Sequence, residues 1–483
     1  MRDPHVIVIG GGYSGALTAA HLAGRGVATV VIEPGVLGRG VAYAATPYRL
    51  LLNTPASAMS ALPDAPRHFE AWLERRASRA VQDHAGQAPL DPPGQRADEF
   101  APRAVYGDYL EQTIAEVSRG RLDTVPARAI AIARTAEGFV VRCDDGSELA
   151  APSIVLALGN PPPRVPSALA GSGPGNGGDH QRTSEPPPGY AGEPYQAIRA
   201  IADDDPIAIL GTGLTALDVV AALRNRGHRG PIVCASRRGL LPVAHGQRPD
   251  HSVSVPRELV RQPSLRALLD WWRIRIERAH PASGHHEHEV ALIAALRPFL
   301  STIWRRLPIA DRARFLRHVR PRWDVLRHRA PPSVRAVIDL GIAERSIDVL
   351  AARLDAVDVS RASLRCRFVA ADGTTHVRDV RWLINCTGPE RDVRRLRSPL
   401  VQSLVHHRLL APDPLGLGVL TGPGGQLIGE DGPVAGGFVV GPWRMADLWE
   451  ASAVPELRHH AADTATAIAG APAPDDALLQ AAG

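Results

Sequence analysis

Glycines, one acid and a pair of arginines carry the chemistry that this chain offers. Gly10-Gly11-Gly12-Tyr13-Ser14-Gly15 fits G-x-G-x-x-G, and Glu33 follows at the offset where an acid meets a ribose. In such a pattern Gly10 permits a tight turn, Gly12 lets the backbone approach a pyrophosphate, and Gly15 lets a helix pack close to a strand. The pyrophosphate is expected beside Tyr13 and Ser14, where free N–H groups and the helix dipole favour an anion. Glu33 is expected to accept hydrogen bonds from the ribose diol. The competing reading is a glycine turn in an unrelated α/β domain. Farther on, Gly211-Thr212-Gly213-Leu214-Thr215-Ala216 repeats the pattern as G-x-G-x-x-A, but the position of the acid is taken by Ser236-Arg237-Arg238-Gly239. A carboxylate suits a free 2′-hydroxyl, whereas guanidinium groups suit a 2′-phosphate. The first site is therefore expected to take FAD or NAD and the second NADP(H), with Gly211, Gly213, Thr215, Ser236, Arg237 and Arg238 as its cofactor-binding residues.

These residues need strands and helices to hold them. An apolar run at 5–9 predicts a strand, 16–25 a helix and 27–32 a second strand; 207–210, 217–226 and 231–235 repeat that order. Between 34 and 43, Gly35, Gly38 and Gly40 bracket Arg39 in a loop close to the first site, which makes Arg39 and Gly40 cofactor candidates. Residues 124–158 read as all-β, with hairpin signals at Glu137-Gly138 and Asp145-Gly146, and end in a strand running to Gly159. Residues 339–384 read likewise, with a signal at Asp372-Gly373 and a strand leading to Gly388. The chain thus carries one plan twice: βαβ, β-meander, strand, glycine exit.

The fold class expected is α/β, with two Rossmann-like dinucleotide-binding domains and a helical insertion in the second; the family resemblance given below implies that the FAD domain is split by the inserted NADP(H) domain. The chain's parts are 1–160, a Pro- and Gly-rich linker at 161–204, the inserted domain at 205–385 with helices at about 256–330, a second FAD-domain part at 386–470, and a disordered tail at 471–483. A polar helix is expected at 67–76, a loop at 83–95, a helix ending near Ser118, and a strand at 437–440. After Gly441-Pro442 a helix-like run through Trp449 and Glu450 is expected to point its N-terminus at bound cofactor.

Composition excludes several classes. With 483 residues and 45% hydrophobic content the chain can bury two or three cores, yet no run approaches the roughly 18 apolar residues of a membrane span. A core strand within a few residues of Met1 leaves no room for a signal peptide, so a cytoplasmic location is expected. Cys143, Cys234, Cys366 and Cys386 form no C-x-x-C pair, which argues against a disulfide framework, a zinc site and a redox dithiol. The sequence has no lysine, so all 55 basic residues are arginines and a Schiff-base mechanism is excluded. The net charge of +5 is spread among acids, and no aromatic stacking platform accompanies it; neither a nucleic-acid nor a membrane partner is expected.

Three further groups have two readings each. His285, His286, Glu287, His288 and Glu289 are metal-ligand types, but H-E-x-x-H is absent; a mobile loop or helix cap is the better reading and no metal is expected. Arg320, Trp323, Arg327 and His328, in a crowded stretch from His318 to Arg329, are either substrate contacts or a helix end laced with ion pairs. Asn53 either hydrogen-bonds a flavin ring, as the one catalytic candidate, or forms an Asn-Thr-Pro turn.

Several local stretches carry a family resemblance: Gly38-Arg-Gly-Val-Ala-Tyr43, Leu51-Leu-Asn-Thr-Pro55, Pro102-Arg103 with Tyr106-Gly107, Ser236-Arg-Arg-Gly-Leu-Leu-Pro242, Arg317-His-Val-Arg-Pro-Arg-Trp-Asp324 and Asn385-Cys-Thr-Gly-Pro389. With them the chain resembles the two-dinucleotide-binding-domain flavoproteins, which include the flavin monooxygenases and N-hydroxylases, and more narrowly a bacterial group of FAD/NAD(P)-binding proteins. The resemblance departs at Gly441-Pro442, where many relatives have Gly-Asp and the Asp binds the flavin ribityl chain. It implies FAD and NADPH as cofactors, O2 and a small polar molecule as substrates, and oxygen transfer through a flavin C4a-hydroperoxide, N-hydroxylation being one form. A flavin dehydrogenase or reductase, or a flavin-bearing sensor without turnover, are the alternatives. Neither the substrate nor an oligomeric state is named by the residues.

Overall fold

The computed structural model describes residues 4–83, 100–169, 186–246, 253–278, 285–360 and 363–470. The chain forms two compact units. One comprises Met1–Pro161, Leu300–Arg305 and Arg391–Gly483; the other comprises Pro162–Phe299 and Arg306–Glu390.

The first unit opens with β1 (Val6–Ile9), α1 (Tyr13–Gly24) and β2 (Thr29–Ile32), followed by α2 (His68–Asp83), α3 (Arg103–Ser118), β3 (Asp123–Val125), β4 (Ala129–Arg134), β5 (Phe139–Cys143), β6 (Glu148–Ala151) and β7 (Ser153–Leu156). β1 is buried along its whole length, as a strand covered on both faces must be. Its side chains alternate. Val6 and Val8 meet Ala19, Leu22 and Ala465 on one face. Ile7 and Ile9 meet Ile132, Phe139 and Leu404 on the other. Along α1, Ala19 packs with Val6 and Val8 of β1, whereas Ala16 and Ala20 join a cluster with Tyr106 and Leu110 of α3.

The second unit contains β8 (Tyr190–Ala191), α4 (Pro194–Ala197), β9 (Ile207–Leu210), α5 (Leu214–Asn225) and β10 (Ile232–Ser236). Helices α6 (Arg257–Arg261), α7 (Leu265–Glu277) and α8 (His285–Leu296) follow. After α9 (Leu300–Arg306), which clusters mainly with the first unit, come α10 (Ile309–Arg314), α11 (Arg320–Arg327) and α12 (Pro332–Ala343), then β11 (Ile347–Val359), β12 (Leu364–Ala370), β13 (Thr375–Val380) and β14 (Trp382–Asn385). The chain then returns to the first unit with α13 (Pro399–His406), β15 (Gln426–Gly429), β16 (Gly432–Val439), α14 (Met445–Leu448) and α15 (Val454–Ile468).

In the first unit the sheet order is β15-β16-β7-β1-β2-β3, parallel from β16 to β3, with a separate antiparallel sheet β4-β5-β6. In the second the order is β13-β12-β11-β10-β9-β14-β8. β11 serves two ladders: Ile347–Ala351 run parallel to β10, and Ala352–Val359 run antiparallel to β12. The later segment of the first unit is stitched in by Ser403, whose hydroxyl accepts from Ile132 N–H at 3.0 Å and donates to Ile132 O at 2.9 Å.

Several expectations need correction. The supposed linker holds β8, which pairs with β14, and α4; residues 170–185 lie outside the described residues. β3 pairs in parallel with β2 and is no part of the meander, because an alternating strand does not announce its partner. Residues 332–343 are helical, started by Pro331 and Pro332, so the second β-rich stretch begins later than 339. The run after Gly441-Pro442 is a short turn and the four-residue α14, broken at Trp449 by φ 57°, not a helix that could present a dipole. The expected loop at 83–95, after its first residue, and the tail at 471–483 lie outside the described residues.

Candidate functional site

In the first unit α1 starts at the C-terminal end of β1, the place where open α/β sheets bind ligands. Gly10 has φ +97°, and a Cβ there would lie 2.4 Å from the Ala157 carbonyl. A Cβ on Gly15 would lie 2.0 Å from the Gly10 carbonyl, so only glycine lets α1 begin here. Gly12 is different: the nearest atom to a Cβ would be the Gly40 Cα at 3.7 Å. Gly12 and Gly40 face each other without side chains, which leaves a cradle for a phosphate at the α1 N-terminus. Tyr13 is buried, its ring centroid 6.3 Å from that of Tyr43. Ser14 lies under Gly441, whose added Cβ would be 3.2 Å from Ser14 Oγ. Gly159, φ +65°, has open space around it at the exit of β7.

Glu33 holds this turn together. Its Oε2 accepts from Gly11 N–H at 2.7 Å and its Oε1 from Gly35 N–H at 2.9 Å. Each oxygen keeps a further acceptor site for a ribose. Gly11, not singled out from sequence, is required as well, since its Cβ would meet Glu33 Cβ at 2.7 Å.

Arg39 does not present its guanidinium to a ligand. It pairs with Glu111 and, at 2.6 Å, with Asp108, and it donates to the Tyr43 and Ala104 carbonyls. Partial burial of Asp108 works the other way, but bonds from Arg76 and Arg39 hold its carboxyl below the ordinary value. Gly107 makes room for this: a Cβ there would lie 2.5 Å from Arg39 Nη1. Arg39 thus clamps the 35–43 loop to α3. Asn53 follows a short bridge between Leu51 and Pro102 and is half-buried.

The second unit repeats the turn closely. Gly211 has φ +103°, and its Cβ would lie 2.3 Å from the Cys386 carbonyl. Gly213, the residue before α5, and Gly388, φ +86°, have open space about them, and Thr215 is half-buried in the first turn of α5. Ser236 does not reach outward. Its hydroxyl bonds Thr212 Oγ1 at 2.8 Å and accepts from Gly239 N–H at 3.1 Å, which closes the 236–239 turn. Arg237 is exposed. Arg238, likewise exposed, donates one bond, from Nη2 to the Arg317 carbonyl at 3.1 Å.

The substrate candidates lie on α11 and at its C-terminal end. Arg320 and Asp324 pair at 3.1 Å, His328 lies 4.0 Å from Asp324, and Trp323 is buried, its ring centroid 5.9 Å from that of Phe315. This is the ion-pair-laced helix end; Arg327 closes α11. His285 begins α8, and Glu289 pairs with His286 and Arg322, a helix start rather than a loop. Among the described residues no group of three His, Cys, Asp or Glu could hold a metal, and no helix is long and apolar enough to cross a membrane. All four cysteines are unbridged and buried, and burial pushes the Cys234 and Cys366 thiols up to about 12.

Comparison with known proteins gives the same picture of the fold. Residues 7–161 match the family described as FAD-NAD(P)-binding. A search of curated proteins found no match. The chain is similar to ornithine N-hydroxylase from Kutzneria sp. 744, solved with reduced FAD, NADP+ and L-ornithine, at 13% identity and TM-score 0.61, covering 97% of this chain and 99% of that one. It is similar to L-lysine 6-monooxygenase from Pseudomonas syringae at 16% identity and TM-score 0.62, covering 96% and 99%. Thioredoxin reductase from T. acidophilum aligns at 10% identity and TM-score 0.50, covering 97% and 98%. The chain therefore has the fold of the two-dinucleotide-binding-domain flavoproteins, built on an N-terminal segment that matches the FAD-NAD(P)-binding family.

Proposed function

We propose that the protein is an NADPH-dependent FAD oxidoreductase, a monooxygenase that places one oxygen atom on a nucleophilic nitrogen of a small polar amine. The observation that carries the reading is the pair of matched glycine turns, one closed by Glu33 and the other by Ser236-Arg237-Arg238. Bound FAD supplies a hydride acceptor and, once reduced, a centre that activates O2. The chain's own residues bind and orient. The α1 N-terminus with Gly12 and Gly40 takes the FAD pyrophosphate, Glu33 the ribose hydroxyls, and Asn53 a hydrogen bond to the flavin ring. Gly213 and the start of α5 take the NADPH pyrophosphate, and the 236–239 turn its 2′-phosphate. The sequence holds no C-x-x-C pair of the kind that receives electrons as a dithiol. The monooxygenase assignment draws support from the similar structures named for ornithine, lysine and cadaverine.

The test starts with the absorption spectrum of the purified protein, followed by anaerobic addition of NADPH. A flavin band that bleaches supports an enzyme; a band that persists supports a sensor. Under oxygen, L-ornithine, L-lysine and cadaverine are then added singly, with NADPH consumption and product mass followed. A gain of one oxygen atom supports the monooxygenase. Substrate oxidation without that gain supports a dehydrogenase and ends the oxygen-transfer reading.

A further inference from the structure

The paired arginines at 237–238 and the stretch 317–324 are far apart in sequence, but within the second unit they form one device. α10 and α11 join through a wide turn at Phe315–Val319, where Arg320 N–H reaches the Phe315 carbonyl five residues back. Pro321 explains it. It has no N–H to give to the Arg317 carbonyl four residues earlier, and its ring displaces that carbonyl from the regular helical path. That carbonyl, on an exposed residue, is left open to another donor, water or a side chain. Arg238 supplies it, Nη2 to Arg317 O at 3.1 Å. Arg237 and Arg238 are both exposed on the 236–239 turn, but among the described residues no hydrogen bond or ion pair engages Arg237, whereas Arg238 has its bond to Arg317. The turn that carries both arginines is held by Ser236 Oγ and by Gly239 at φ +60°.

We propose that Arg237 alone reads the 2′-phosphate, and that Arg238 is a positioning residue tying the nucleotide turn to the Pro321 kink of the helical layer. The first half rests on the NADPH assignment above. The tie fixes where α11 starts, and with it the Arg320–Asp324–His328 ladder and the buried Trp323. A change at the nucleotide turn is thereby transmitted to the helices.

Two measurements on the full-length protein test this. In calorimetric titration with adenosine 2′,5′-bisphosphate and with AMP, Arg237→Ala weakens the bisphosphate at least about tenfold and leaves AMP unchanged, whereas Arg238→Ala changes either less than about threefold. In hydrogen exchange read on peptides covering 315–324, Arg238→Ala speeds exchange several-fold and Arg237→Ala does not. Arg238→Lys, whose ammonium still donates, restores protection. So does adding Pro321→Ala to Arg238→Ala, because the carbonyl regains a donor four residues on. If Arg238→Ala weakened the bisphosphate as strongly as Arg237→Ala, or left exchange at 315–324 unchanged, the division of labour would be wrong. If Arg237→Ala left the bisphosphate affinity intact, Arg237 would not be the reader; if the unmodified protein bound the bisphosphate no better than AMP, the NADPH assignment itself would fall, while the exchange data would still decide the kink.

Discussion

Replacing Glu33 by Gln separates its two jobs. The carboxylate holds Gly11 N–H at 2.7 Å and Gly35 N–H at 2.9 Å, one on each oxygen. A glutamine has a single acceptor oxygen, so one of these bonds is lost and an NH2 group faces an N–H. The Gly11 bond is the less exposed and should be kept. Loss of the exposed Gly35 bond costs about 0.5–1.5 kcal/mol in the apoprotein, a fall of roughly 1–4 °C in Tm. Binding suffers further. The amide loses the negative charge and one acceptor site for the ribose, about 1–2 kcal/mol for a charge-assisted bond reduced to a neutral one. With loosening of the turn, the FAD Kd is expected to rise roughly 10–100-fold. The assay is titration of flavin-free protein with FAD by fluorescence, alongside thermal unfolding without flavin. A lowered apoprotein Tm with an FAD Kd within about threefold of the unmodified protein would refute the ribose role and leave Glu33 as a loop clamp only.

Three other outcomes are expected. Gly107→Ala brings a Cβ to 2.5 Å from Arg39 Nη1 and 2.6 Å from the Tyr43 carbonyl, so Arg39 must leave its pairs; a loss of about 1–3 kcal/mol and weaker flavin retention should follow, checked by denaturant unfolding and flavin content. Ser403→Ala strips both Ile132 backbone groups of their partner and should cost about 1–3 kcal/mol, read in the same unfolding experiment, and an unchanged midpoint would deny the stitch any weight. Burial lowers His460 from 6.5 to about 3 and His21 to about 4, with Arg444 and Arg25 adding to it respectively. A histidine held neutral in the fold favours unfolding once the unfolded chain takes up a proton. Stability present above pH 6.5 is therefore lost as pH falls toward 4 and 3, on the order of 2–4 kcal/mol in all after discounting for partial exposure. His460→Leu should flatten the acid limb of a Tm-against-pH curve; an equally steep limb would place the lability elsewhere.

The two glycine turns were legible because glycine at Gly10, Gly15 and Gly211 answers a steric demand that no other residue meets. The strands of both βαβ units were legible from apolar runs short enough to be buried on both faces. Arg39 was not. Its partners Asp108 and Glu111 lie 69 and 72 residues away, and no local spacing marks them. The bond from Arg238 to Arg317 was hidden for a related reason: a backbone carbonyl as partner has no residue type of its own, although Pro321, which has no N–H for that carbonyl, was in plain view. β3 was given to the wrong sheet because alternation sets which face is buried and says nothing about the neighbour. Trp323 looked available as a ligand contact because aromatic rings serve cores and sites alike, and only packing decides between them.

The first unit is written in separated pieces, and this bears on its birth at the ribosome. β7 needs β16 at its side, α1 needs α15 across it, and Ile132 waits for Ser403. A nascent chain stopped at residue 390 has synthesised every strand of the second unit and still lacks these closing parts of the first. The inserted body can thus fold while its host remains an exposed half-sheet, which makes late synthesis the interval of greatest aggregation risk and the stage where a chaperone would matter most.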